Sequence, residues 1–319
     1  MRKKIFLLFL LGCSLFAAVT VKPAYQIDVE GNVVDMVVRG DKLFVGTDAG
    51  KMEVYDWRNK KKTFEIRFDK IHDFMGDPIA PKVFCVDEDP GTGKILMLVQ
   101  DEGGEKILYI YQNGKRSVIL DKKAHLAMRE TRFVDSDHIL VSTISNELIF
   151  YDYVNGKIVW RKQLSESSFS DYQLNEDHSK VASTCESGAV YVTDIQSGKV
   201  LKHFENVNKD NVFHVDFKNY HILACGKDKK AVLYSLGPTP PVIYETKFMV
   251  YAGALNKNAS MSAFQVDENI DIGIFDNETK AMRYLLKGQQ SVLNNIVFVN
   301  DKELISSSDD NHIMIWRLP

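Results

Sequence analysis

One segment type recurs along the chain and constrains its fold more than any other feature. A short apolar stretch, a polar turn and a second apolar stretch follow one another, and the second stretch mostly ends in an aromatic residue. Copies begin at residues 42, 94, 138, 180, 221, 260 and 303, and two of them carry insertions, at 101–106 and 266–271. The mean period is about 43 residues, which is typical of one four-stranded propeller blade. The repeat therefore predicts an all-β, seven-bladed β-propeller.

Two further strands are predicted for each repeat. Alternating apolar and polar residues precede the hairpins, as at 33–38 and 212–217, and follow them, as at 63–68 and 158–164. Such period-two alternation, with polar turns between the stretches, is typical of strands. Turns such as Asn113-Gly114 and Asn155-Gly156 supply residues that tolerate positive φ, as tight connections require.

The two ends of the chain are predicted to meet. The last repeat stops at Pro319, just after its third strand, and a missing fourth strand would leave an open edge. Residues 24–29 read as a strand with no blade of their own. We therefore expect them to complete the last blade by pairing with the strand that ends at Trp316.

Residues 306–316 resemble a WD40 repeat. A polar turn with Asp309 and Asp310 leads into a strand that ends in Trp316, and aromatic-Asp endings recur at Tyr55-Asp56 and Tyr151-Asp152. The Gly-His opening of that family is absent from every copy, and one copy alone ends in Trp. The resemblance implies a WD40-like propeller, and such propellers are interaction platforms far more often than enzymes.

Residues 152–160 are similar to the tryptophan-docking repeat of quinoprotein propellers and their non-enzymatic relatives. In that repeat, Gly156 would allow the turn and Trp160 would pack between neighbouring blades. The next blade, which contains Gly198, lacks the Trp. The resemblance implies an inter-blade packing role for Trp160.

The N-terminus has the layout of a secretory signal. Arg2, Lys3 and Lys4 precede an uncharged run from Ile5 to Val21. A small residue at Ala17 predicts cleavage there, with residues 18–319 forming a single propeller domain in the periplasm. Residues 10–14 also resemble a lipobox, which would place a lipid on Cys13 and anchor the protein in the envelope. An uncleaved anchor is the third alternative.

Composition and cysteine count limit the remaining possibilities. The chain is 45% hydrophobic and 26% charged, which excludes wholesale disorder, and its net charge of -3 gives no general attraction for nucleic acid. Cys85, Cys185 and Cys225 are an odd number, so at least one is unpaired in a monomer. Each lies in a strand context, and we expect buried, unreactive thiols.

Catalytic and metal-binding patterns are weak. The eight histidines show no HExxH spacing, and Gly91-Thr92-Gly93-Lys94 lacks the first Gly and the Ser/Thr of a phosphate loop. Alternating acids, at 267–271 and at Asp87 and Asp89, are typical of polar turns as well as of calcium loops. We expect no catalytic residue, no metal and no cofactor. The inner-strand starts offer no repeated set of Glu, Asp and Asn that would form a site in the channel.

The predicted partner-binding surface lies where the connections are long. The connection 69–82 and both inserted hairpins are expected on one face, and 69–82 and 101–106 both border the second blade. Four large apolar side chains in the connection either cap the blade edge or form a patch for a partner. The candidate partner-binding residues are Ile71, Phe74, Met75, Ile79, Glu102 and Glu105.

These observations predict a monomeric, non-catalytic periplasmic scaffold or accessory protein that binds a protein partner. Size, export signal and diverged repeat are similar to those of the NapL family of propellers, encoded with periplasmic nitrate reductase, which implies a reductase component as the partner. Two alternatives stay open. One is an exported propeller enzyme of the lactonase or quinoprotein type, and the other is an envelope lipoprotein scaffold that depends on Cys13.

Overall fold

The computed structural model describes residues 18–319. The predicted signal segment 1–17 and the lipobox residue Cys13 lie outside the described residues. In the described chain, seven sheets, each built on four antiparallel strands, are arranged as a seven-bladed β-propeller, as the repeat predicts. The first strand of each blade lines the central channel.

The blade strands follow the predicted hairpins closely. Their bounds, from the channel outward, are as follows: in blade 1, Val33–Arg39, Lys42–Thr47, Lys51–Asp56 and Lys61–Arg67; in blade 2, Val83–Asp89, Lys94–Gln100, Lys106–Gln112 and Lys115–Leu120; in blade 3, Met128–Phe133, His138–Thr143, Glu147–Asp152 and Lys157–Gln163; in blade 4, Phe169–Leu174, Lys180–Cys185, Val190–Asp194 and Val200–Phe204. The remaining blades are as follows: in blade 5, Val212–Lys218, His221–Gly226, Lys230–Ser235 and Val242–Glu245; in blade 6, Gly253–Leu255, Met261–Gln265, Ile272–Asp276 and Met282–Leu286; in blade 7, Leu293–Asn300, Glu303–Ser308 and His312–Arg317, completed by Tyr25–Asp28.

The N-terminal segment joins two blades. Tyr25–Asp28 pairs antiparallel with His312–Arg317 and supplies the outer strand of blade 7, which confirms the predicted closure. Val19–Val21 adds a fifth, parallel strand to the outer edge of blade 6, against Met282–Leu286, and this pairing was not predicted. The segment therefore holds blades 6 and 7 together from outside.

The apolar core is divided among the blade interfaces. Alternate side chains of each middle strand point to opposite neighbours, so Phe44 packs against blade 2 while Leu43 and Val45 pack against blade 7. Seven main clusters of buried side chains result, one at each interface. Period-two alternation thus builds a ring in which every blade needs both neighbours to bury its faces.

The structure confirms two predictions about buried side chains. Trp160 on the outer strand of blade 3 donates a hydrogen bond from Nε1 to the Ile195 carbonyl of blade 4 at 2.7 Å, so it packs between blades. Within residues 18–319, Cys85, Cys185 and Cys225 are all buried and none forms a disulfide. Burial raises the pKa of the Cys85 thiol to about 12, which keeps it protonated and unreactive.

Short elements occur outside the blades. A two-stranded ladder pairs Ile71–His72 with Pro78–Ile79, and single 3₁₀ turns occupy Glu102–Gly104 and Lys122–Ala124. None of the helical segments among residues 18–319 is long and apolar enough to cross a membrane.

Candidate functional site: the loop face and the channel beneath it

The connection between blades 1 and 2 is a structured hairpin. Ile71 pairs with Ile79, and Asp73 builds the turn between them. One oxygen of the Asp73 carboxylate accepts hydrogen bonds from the backbone N–H groups of Met75 at 2.8 Å and Asp77 at 2.9 Å. Such a side-chain-bonded turn holds the backbone in one arrangement. We call residues 71–79 the tip hairpin.

The tip hairpin presents two large apolar side chains to solvent. Phe74 is 93% exposed and Met75 is 73% exposed, so neither covers any part of a blade. Ile71 and Ile79 are half-buried at the base of the hairpin. The capping role that the sequence left open is therefore limited to the two isoleucines.

A contact joins the tip hairpin to the insertion of blade 2. Nδ1 of His72 lies 3.0 Å from Oε1 of Glu102, in the 3₁₀ turn of the inserted hairpin. This hydrogen bond lowers the pKa of Glu102, so the carboxylate stays charged. Glu105 is exposed, and its carbonyl accepts from the Asp101 N–H at 2.8 Å, which closes the turn. The structure thus brings the two predicted segments together on one face.

The other inserted hairpin, at 266–271, is a tight polar turn. The Asp267 carboxylate accepts from the backbone N–H groups of Asn269 at 3.0 Å and Asp271 at 3.2 Å. Asp271 forms an ion pair with Lys287 at 2.8 Å. Asp267 therefore stabilises the turn, and Asp271 pairs with one lysine.

Among the described residues, one group of three carboxylates has the spacing of a metal site, and the ammonium group of a lysine lies between them. Glu30, Glu53 and Glu65 bring oxygen atoms within 4.8 Å of one another. Nζ of Lys62 lies 2.9, 2.8 and 2.9 Å from the three carboxylates in that order. The lysine supplies the charge that a cation would supply, and it lowers the pKa of Glu65 to about 2.

The central channel encloses about 700 Å³ and is lined by polar side chains that the sequence pattern did not predict. Each inner strand except that of blade 6 has a β-bulge near its start. In these six blades, the residue after the bulge occupies the same position in the inner strand. We call these six residues the channel ring: Asp35, Cys85, Glu130, Asp171, His214 and Asn295.

The expectation that the inner-strand starts offer no repeated set of Glu, Asp and Asn is wrong, because four of the six ring positions carry one of these residues. The signal is a pattern of apolar residue, any residue, then polar residue, as in Met128-Arg129-Glu130 and Phe169-Ser170-Asp171. A bulge shifts the alternation by one residue, so a search for strict period two passes over the equivalent positions.

Charged members of the channel ring form a connected chain with one arginine. Arg132 lies 3.0 Å from Asp35 and 3.0 Å from Glu130. Glu130 hydrogen-bonds to Asp171, and Nδ1 of His214 lies 3.0 Å from the Asp171 carboxylate. The order of the linked side chains is Asp35, Arg132, Glu130, Asp171 and His214. Negative and positive groups alternate in this order except at Glu130, which lies between Arg132 and Asp171.

Burial and the neighbouring charges together set the protonation of these linked side chains. Burial raises the pKa of Glu130 well above its ordinary value, against the attraction of Arg132, so Glu130 carries the proton in its bond to Asp171. Burial works against the charge on His214, but the charge of Asp171 and the hydrogen bond to it raise the pKa of the imidazole. The pKa of Asp171 is lowered, because His214 and the hydrogen bonds outweigh its burial.

Carboxylates of four inner strands also tie their blade to the next one. The bonds run from backbone N–H to carboxylate: Val86 to Asp35 at 2.8 Å, Phe133 to Asp87 at 2.9 Å, Val215 to Asp171 at 2.8 Å and Leu255 to Asp216 at 2.7 Å. These four acids are thus engaged by the protein itself. These hydrogen bonds hold neighbouring blades together at the inner edge of four interfaces.

Comparisons with known proteins match parts of the chain. The family model described as outer membrane protein assembly factor BamB (PQQ_2) matches residues 120–216, which include Trp160 and Gly198. The WD repeat-containing protein 55 homolog of Aedes aegypti is 26% identical over 111 residues, 34% of this chain and 24% of that relative. The chain thus aligns with about a quarter of that relative's length. Both matches support a WD40-like propeller.

Proposed function

We propose that this protein is an exported, non-catalytic scaffold that binds a protein partner through the tip hairpin and the adjoining turn at 101–106. The observation that carries the proposal is the exposure of Phe74, 93% of the side chain, at the end of an ordered turn. Met75 beside it is 73% exposed, so the two side chains form a contiguous apolar surface, and exposed apolar patches mark interaction sites.

The construction of the tip hairpin favours tight binding. Asp73 and the His72–Glu102 contact hold it in place before the partner arrives, so less conformational entropy is lost on association. An aromatic anchor buried at an interface typically contributes about 2 kcal/mol or more. Glu102 contacts the tip hairpin at His72, and Glu105 ends the same turn, so the two carboxylates provide a polar rim.

Two observations support a location in the envelope. The basic start and the uncharged run from Ile5 to Val21 have the layout of an export signal. The matched family model takes its description from an outer membrane protein assembly factor. Within the envelope we propose a component of periplasmic nitrate reductase as the partner, which the similarity to the NapL family suggests.

Occupied carboxylates support a non-catalytic role. An exported propeller enzyme would need free acids or bases in the channel, yet Asp35, Asp87, Asp171 and Asp216 each bind a backbone N–H of the next blade. Hydrolysis of a simple lactone by the purified protein, lost in an Asp171→Asn variant that still folds, would favour the enzyme instead.

The scaffold proposal is tested by a double substitution, Phe74→Ser with Met75→Ser. Both side chains are exposed, so the melting temperature should be unchanged, while co-purification of the partner should be lost. Val118→Ser with Val154→Ser is the matched control, because these side chains are 53% and 58% exposed elsewhere on the surface. Partner retention by the tip variant would overturn the proposal.

The partner class is tested separately. Deletion of the gene should lower periplasmic nitrate reductase activity during nitrate respiration, and the wild-type gene should restore it where the tip variant does not. Normal activity in the deletion strain would exclude this partner and leave the scaffold role standing.

A further inference from the structure

Two cations lie together at the edge of the channel on the face that carries the tip hairpin. Nζ of Lys106 donates to the Met128 carbonyl at 2.7 Å and lies 4.2 Å from the centre of the Phe84 ring. Arg129 is exposed beside it. Among residues 18–319, neither side chain has a carboxylate within ion-pair distance. Most other arginines of the described chain are paired with an acid.

The positive charges of Lys106 and Arg129 repel each other in the free protein. Burial lowers the pKa of Lys106, and the charge of Arg129 lowers it further. Two like charges held together, one of them partly desolvated, destabilise the charged state of both. A bound anion would remove this repulsion and would gain two charge-assisted hydrogen bonds.

A cavity of about 420 Å³ opens beside the two cations. It shares Arg129, Ser170 and Phe213 with the channel, so it is a side arm of the channel mouth. Ile144, which is 52% exposed, Phe169 and Phe213 form apolar parts of its wall. Among the described residues that line the cavity, Glu186 is the one acid, against two cations.

The mixed lining indicates the kind of occupant. Apolar walls next to a guanidinium and an ammonium suit a side chain that carries both an apolar part and a carboxylate, rather than a fully hydrated small ion. Lys106 ends the insertion 101–106, so the cavity is continuous with the surface already assigned to the partner. Position and chemistry together point to a polypeptide segment.

We propose that the side-arm cavity binds an acidic segment of the partner, with a carboxylate between Lys106 and Arg129 and an adjacent apolar side chain against Ile144 and Phe213. This inference rests on the proposed scaffold function and specifies the chemistry of its partner. The tip hairpin then provides an apolar anchor, and the side-arm cavity favours a partner segment that carries negative charge.

The test uses a fluorescein-labelled Glu-Glu-Phe-Glu-Glu peptide and the processed, exported protein, with binding followed by fluorescence anisotropy at low and physiological salt. The expected result is binding that weakens with salt and falls about tenfold or more in Arg129→Glu. Lys106→Met should also weaken binding while it keeps the packing on Phe84. Lys162→Glu is the matched control, since it makes the same charge reversal on the outer strand of the same blade.

Each outcome bears on the proposal. Equal binding by Arg129→Glu and Lys162→Glu overturns it, as does full displacement of the peptide by millimolar inorganic phosphate, which would assign the cavity to a small free anion. Partner co-purification by Arg129→Glu at the wild-type level overturns the link to the partner. The Phe74→Ser, Met75→Ser variant should bind the peptide normally, so failure of the tip hairpin and failure of the side arm are distinguishable.

Discussion

The indole ring of Trp160 lies directly over Gly198 of the next blade. A Cβ atom at Gly198 would come within 2.8 Å of the ring, and the Gly198 backbone has a φ of +67°. The Trp160 indole N–H is meanwhile held by the Ile195 carbonyl at 2.7 Å. The glycine is therefore required both by its own turn and by the side chain that packs on it from the neighbouring blade.

Gly198→Ala is expected to destabilise the protein by about 2 kcal/mol or more, because the backbone strain adds to overpacking against Trp160. Gly114→Ala is the matched control. Gly114 has a φ of +81° at the corresponding turn of blade 2, and beyond its chain neighbours no atom of residues 18–319 lies within 4 Å of where an added methyl group would sit. The control should lose about 1 kcal/mol. Equal losses in urea unfolding would show that the contact with Trp160 carries no energy.

Removal of residues 18–30 is expected to lower the melting temperature of the whole propeller in one cooperative transition. The deletion takes away the outer strand of blade 7, on His312–Arg317, and the fifth strand of blade 6. It also uncovers the apolar interface that includes Ile27 and Val29. Deletion of 18–22 alone, which leaves blade 7 complete, should have a smaller effect. Unchanged unfolding after the longer deletion would contradict the closure.

The processed N-terminus is expected at Ala18, with cleavage after Ala17. The small residue at Ala17 and the apolar residues that follow Cys13 favour this site over lipidation. Intact-mass measurement of the exported protein decides between the two, because a diacylated Cys13 would add the mass of the lipid and of the residues from Cys13 to Ala17.

Blade number and strand positions were accessible from the sequence because they depend on local patterns. Alternation and turn residues mark each strand, and the missing fourth strand of the last repeat indicates the role of residues 24–29. The channel ring was missed because bulges shift its members out of the alternating pattern. The His72–Glu102 contact was beyond sequence reasoning, since both residues are exposed and belong to loops whose relative position depends on the packed blades.

Glu130→Gln is expected to change stability by less than about 1 kcal/mol. Glu130 is protonated in its buried contact with Asp171, and a neutral amide can replace a neutral carboxylic acid as a hydrogen-bond donor. Asp171→Asn should cost about 3 kcal/mol, because the buried imidazolium of His214 loses its counter-charge. Urea unfolding of the two variants measures the contrast. A larger loss for Glu130→Gln would mean that Glu130 is ionised.

Stability is expected to fall as pH rises above about 6.5, in part because of His214. Asp171 raises the pKa of the buried imidazole above its unfolded value of about 6.5, against the effect of burial. The contribution of His214 is therefore complete below that unfolded value and is lost as pH rises through the higher folded pKa. Asp216 acts in the same direction.

The stability difference between the wild type and His214→Gln is expected to shrink across this pH range. The raised pKa of Glu130 adds to the same trend, but it is present in both proteins and cancels largely in the comparison. His203→Gln is the control, because His203 is partly exposed in its pair with Glu205 at 3.0 Å and contributes little. Thermal unfolding at each pH gives the curves. Parallel curves for the wild type and His214→Gln would mean that the Asp171–His214 pair does not titrate in this range.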